Sequence, residues 1–133
     1  MQETLCAFLL IAATTTLTQS SNPSNWVGVW QRELDGQPSI VLTLAQDNGS
    51  LGGTLVLNGI NNDGGQPHIA VHEAHTLMHS HLSGNSLSFT VKSRRASSTT
   101  MVFDVQQTSN SEATLHCLNC GEDAPVVDIT KLD

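Results

Sequence analysis

Tyrosine is absent from this 133-residue chain, and its aromatics amount to two Trp and three Phe. A core built from it must therefore come mainly from Val, Leu, Ile and Met. Cations are equally scarce: Arg32, Lys92, Arg94, Arg95 and Lys131 stand against twelve Asp plus Glu, for a net charge of −7. Binding nucleic acid needs a basic footprint, so that partner class is excluded. Adhesion to anionic lipid is excluded for the same reason. No Gly-x-Ser-x-Gly elbow and no phosphate-binding glycine loop occurs. No catalytic constellation is visible, and the chain reads as a non-enzymatic protein.

What is present begins with an address. Leu5 to Ala13 is an apolar run of nine residues, far short of the ~20 that span a membrane. It suits the hydrophobic region of a signal peptide, with Thr18 and Ser20 as the small residues before a cut ahead of Ser21. The reading is a signal peptide over 1–20, a disordered lead-in over 21–25 and one domain over 26–133. The product is expected outside the cytoplasm, secreted or periplasmic, as a monomer with no membrane segment after cleavage. Cys6 lies inside the apolar run without the small-residue setting of a lipid-anchored cysteine.

From Trp26 onward, short alternating runs are cut by turn residues. The spacing predicts eight strands, near 26–34, 39–46, 51–58, 77–82, 87–93, 99–107, 113–118 and 126–132. Asp35-Gly36 and Asp47-Asn48-Gly49-Ser50 are hairpin-turn chemistry, and Gly52-Gly53 suggest a bulge or bend. Leu87, Phe89 and Val91 alternate with Ser88, Thr90 and Lys92, and Met101, Phe103 and Val105 do the same against Asp104 and Gln106. One face of each strand is thus dry. Strand one carries apolar residues on both faces, with Trp26, Gly28 and Trp30 on one and Val27 and Val29 on the other. An eight-stranded antiparallel up-and-down barrel accounts for this and leaves no exposed edge.

Gly28-Val29-Trp30 on a first barrel strand resembles the calycins, the lipocalins and their relatives. The resemblance implies a lipocalin-like barrel whose closed end is plugged by Trp30. Lys131 on the last strand would lie across the ring where lipocalins usually carry Arg. Gly28-Val29-Trp30 with Leu34-Asp35-Gly36, then Leu51-Gly52-Gly53-Thr54-Leu55 and Gly84-Asn85-Ser86-Leu87-Ser88-Phe89-Thr90-Val91, are similar to small exported bacterial proteins of unassigned activity. Such domains also occur ahead of α/β-hydrolase domains. The likeness covers most of 26–132 and implies a fold without catalytic residues.

Two clusters could carry chemistry. Five of six histidines, His68, His72, His75, His79 and His81, fall within fourteen residues, with Glu73 among them. A helix over 67–78 would put His68, His72, His75 and His79 on one face, whereas an extended 77–82 would pair His79 with His81. Either arrangement offers imidazoles to Zn²⁺ or Cu²⁺, with His72, His75, His79 and His81 as the candidate ligands. His72-Glu73-Ala74-His75 is one residue short of the zinc-protease motif. Cys117 and Cys120, outside the cytosol, are expected to form a disulfide, which requires a turn beginning near Leu118. Three functions follow in order: a non-enzymatic binding or accessory module for a small apolar ligand, an exported metal-binding protein, and a hydrolase or isomerase on a calycin-like barrel.

Overall fold

A computed structural model describes residues 22–92 and 99–133. The signal peptide expected over 1–20, Arg94 and Arg95 lie outside the described residues. The described chain is all-β after one 3-10 turn, Pro23–Asn25. Its strands are β1 Gly28–Leu34, β2 Gln37–Asp47, β3 Ser50–Asn61, β4 His68–Thr76, β5 Met78–Ser83, β6 Ser86–Lys92, β7 Thr100–Gln107, β8 Glu112–Cys117 and β9 Val127–Lys131.

They form one antiparallel sheet in the order β4-β3-β2-β1-β9-β8-β7-β6-β5. The first strand and the last are neighbours, with Trp30 opposite Lys131 and Gln31 opposite Thr130. β4 and β5 stand at the two ends of this order, yet only Leu77 separates them in the chain. The Leu77 N–H donates to the Gly53 carbonyl at 3.0 Å, and the Ser80 hydroxyl donates to the Leu51 carbonyl. β5 therefore leans back on the start of β3, and the barrel is nearly closed. The up-and-down architecture is compatible with a lipocalin-like fold.

Among the described residues the strand count corrects the expectation: nine strands, not eight. The additional one is β4, in the His-rich segment read above as loop or helix. Its first five residues are exposed and its inward positions include Glu73 and His75, so it shows no wet-dry alternation to read. Trp26 also lies outside β1, ending the 3-10 turn, with its N–H donating to the Pro23 carbonyl at 3.0 Å. That turn falls inside the stretch read as a disordered lead-in. Gly52 and Gly53 make no bulge, since the β2–β3 register runs unbroken from Ile40/Leu57 to Asp47/Ser50. The hairpin turns carry positive φ where the sequence asks for it, at Asp35-Gly36 and Asn48-Gly49.

Directly opposed residues share a face of the sheet, so the pairing reads out the interior row by row. One row is Trp30, Leu42, Leu55 and His75 across β1 to β4. Leu87, Phe89, Val91, Phe103, Val105, Leu115 and Ile129 fill the other side. Phe89 and Phe103 stack with centroids 5.4 Å apart. The middle of the barrel is occupied by its own side chains.

Candidate functional site

Strand directions give the barrel two unlike ends. At one, β1 begins, β9 finishes and the 3-10 turn crosses beneath. Trp26 and Trp30 are fully buried there, their rings 6.1 Å apart, and the Trp30 indole N–H donates to the Trp26 carbonyl at 2.9 Å. Lys131 lies over the Trp30 ring with Nζ 5.8 Å from its centroid, and Nζ donates to the Asn25 carbonyl at 3.2 Å. A cation over an indole face is attracted by the ring quadrupole. Gly28 makes the crossing feasible: its φ is +139°, and a Cβ there would come 2.9 Å from Lys131 Cε. Gly28, Trp30 and Lys131, expected from the sequence as barrel-closure residues, are thus brought together at this end.

The other end gathers the ends of β1, β3, β6 and β8 and the beginnings of β2, β4, β7 and β9. One inward row there runs Arg32, Ile40, Leu57 and Glu73. Below it lies His75, the buried polar residue of the described interior, with its side chain 2 % exposed. Its Nε2 makes no hydrogen bond and sits 3.6 Å from Glu73 Oε2. A buried polar atom without a partner costs roughly 1–3 kcal/mol. A hollow of about 220 Å³ lies at this end, lined by Leu57, Asn58, Gly59, Val71 and Glu73. At Gly59 an added Cβ would press on Val71 Cβ at 3.2 Å, so the missing side chain keeps the hollow open.

The candidate metal ligands do not converge. His72 and His75 are three apart on an extended strand, hence on opposite faces. His72 faces outward opposite Asn58, and the two side chains are hydrogen-bonded with His72 Nδ1 2.8 Å from Asn58 Oδ1. His75 faces inward opposite Leu55. His79 takes a left-handed φ of 52° where the β5–β6 register shifts, which breaks the two-residue alternation toward His81. His79, His81 and His68 are exposed. Among the described residues no three His, Cys, Asp or Glu side chains are grouped to hold a metal ion. Arg32, Leu57, Gly59 and Val71 were not singled out by the sequence. Only the strand pairing shows that they share an inward face with His75.

Cys117 and Cys120 are joined by a disulfide with Cα atoms 5.5 Å apart. β8 stops at Cys117, and the turn is held against β7: Leu118 N–H donates to the Val102 carbonyl at 2.7 Å, and Asn119 bonds both Val102 N–H and the Thr100 carbonyl. The bridge spans only three positions, so it removes little chain entropy from the unfolded state. Reduction is expected to lower stability by about 2 kcal/mol or less. Urea unfolding with and without reductant checks this; a collapse of the fold on reduction would show that the bridge, not the Asn119 hydrogen bonds, holds the turn.

A wider cleft of about 260 Å³ lies near the closed end, lined by Pro23, Ser50, Leu51, Ser80, His81 and Leu82 among others. It follows the seam between β3 and β5 and brings together no chemistry beyond hydroxyls and one exposed imidazole. Compared with descriptions of protein families, with curated proteins and with solved structures, the chain gives no match.

Proposed function

We propose that this chain is an exported, calycin-like, non-enzymatic module that takes a small apolar ligand at the open end of its barrel. The observation that carries the reading is the placement of exposed apolar side chains. Leu34, Ile69, Val71, Leu118 and Val126 all lie at the open end, whereas Val27 and Leu132 lie at the Trp30 end. Single exposed apolar residues are ordinary; their concentration at one end is the mark of an interaction surface. The filled middle confines a ligand to the mouth. The resemblance of Gly28-Val29-Trp30 and the later motifs to exported calycin-like proteins supports the same reading.

Nile red, a neutral apolar dye, is expected to brighten on binding the protein. Adding carboxylates to the rim with Leu34→Asp and Val71→Asp should weaken its binding by at least about tenfold. Leu132→Asp, at the opposite end, should leave the titration unchanged. Equal losses from the rim and the Leu132 variants, or no brightening with the native protein, would sink the proposal.

A further inference from the structure

The short disulfide beyond β8 is placed to open without unfolding the protein. We infer that Cys117–Cys120 is a thiol–disulfide exchange site, with Cys120 the sulfur that an incoming thiol attacks. This stands apart from the reading of where an apolar ligand sits. Three observations carry it. First, the two halves of the bridge differ in access: Cys117 is 9 % exposed at the end of β8, opposite Phe103, whereas Cys120 is exposed in the turn beyond it. Second, the turn is tied to β7 without the bridge. Leu118 N–H donates to the Val102 carbonyl, Asn119 Oδ1 accepts the Val102 N–H, and Asn119 Nδ2 donates to the Thr100 carbonyl. Opening the bridge therefore leaves the turn in place, and a ring closed over three positions adds little entropy to keep it shut. Third, Asn119 Oδ1 lies 3.5 Å from Cys117 Sγ. A carbonyl oxygen has two lone pairs, so a freed Cys117 thiol finds an acceptor beside it and is not left as an unpaired buried group.

Exchange runs by displacement at sulfur. A small thiol loses its proton to water, and its thiolate attacks Cys120 Sγ from the solvent side. The new sulfur–sulfur bond to Cys120 forms, the Cys117–Cys120 bond breaks, and the electron pair leaves on Cys117 Sγ, which takes up a proton. A second thiolate then attacks the small-molecule sulfur of the mixed disulfide, and Cys120 leaves as a thiolate that is protonated in turn. Two small thiols are oxidised to one disulfide and the bridge is reduced to two thiols, so electrons and protons balance with no further reactant. Every step reverses, and the Cys117 thiolate recloses on Cys120 by expelling the small thiolate. Attack on Cys117 would need an approach past β7, which pairs with it through Phe103. The class it takes is small thiols and their disulfides, which reach an exposed turn without a binding pocket.

The test uses the full chain with 2-mercaptoethanol and its disulfide, read by acid quench and mass spectrometry. The bridge is expected to open in the folded state. Its reduction rate should stay within about twofold from no urea to urea well below the unfolding transition, as local opening requires. The reduced chain should keep its circular dichroism. A rate that climbs with urea in step with unfolding would overturn the inference, since the bridge would then open only in the unfolded chain. Loss of the fold on reduction would overturn it too. Two single variants locate the attacked sulfur. In Cys117→Ser, the Cys120 thiol should form the mixed disulfide at least about tenfold faster than the Cys117 thiol does in Cys120→Ser, because reactivity follows access. Equal rates, or a faster Cys117, would overturn the assignment of Cys120.

Discussion

Trp30→Ala is expected to destabilise the barrel by about 3–5 kcal/mol, the range found when a buried Trp or Phe is cut to Ala. Trp30 has no exposed surface, sits opposite Leu42 and Lys131, and packs on Trp26. Truncation leaves a cavity at the closed end and takes the donor away from the buried Trp26 carbonyl. It also strips Lys131 of the ring beneath it. A domain of this size has only about 5–15 kcal/mol in hand, so the variant should unfold at far lower urea. Trp30→Phe separates the two causes, since it keeps most of the burial and loses only the indole N–H. A loss of about 1–2 kcal/mol there is the hydrogen bond's share. Should Trp30→Ala cost well under 1 kcal/mol, β1 is not the organiser of the closed end. Either variant leaves the open end, and hence Nile red binding under folded conditions, in place.

The barrel was legible wherever burial imposes a contrast along the strand. Leu87, Phe89 and Val91 are buried with half-buried Ser88 and Thr90 between them, and a period of two states that in the letters alone. The hairpin turns were legible because Asp35-Gly36 and Asn48-Gly49 need positive φ at both residues. β4 was not, because Val71, Glu73 and His75 are its inward residues while His72 and Ala74 face out, so polarity does not separate its faces. The candidate site was hidden for the same reason. The histidine spacing suggests a metal site, but the extended backbone sends His72 and His75 to opposite sides. What matters at His75 is burial beside Glu73, a property of pairing with Leu55 and Leu57 twenty residues or so upstream.

The two adjacent glycines of β3 are indistinguishable in the sequence and should behave oppositely when changed to Ala. Gly53 has a φ of +146°, and a Cβ built there overlaps the Thr43 carbonyl oxygen and lies 2.9 Å from its carbon. Both atoms are backbone of β2, held by the ladder that pairs Thr43 with Thr54 and Leu44 with Gly53. No side-chain rotation relieves the clash, so β2 and β3 must part or the residue must leave its conformation. The Gly53 carbonyl also accepts the Leu77 N–H that turns β4 into β5, so the shift reaches the seam that nearly closes the barrel. Strain at a left-handed residue alone is about 1–3 kcal/mol, and with the ladder displaced Gly53→Ala should cost about 4 kcal/mol or more. Gly52 has open space for a Cβ and no positive φ. Gly52→Ala should therefore be neutral or gain up to about 1 kcal/mol by restricting the unfolded chain. Urea unfolding of the pair decides the matter: equal midpoints would mean that β3 does not approach β2 as closely as its register requires.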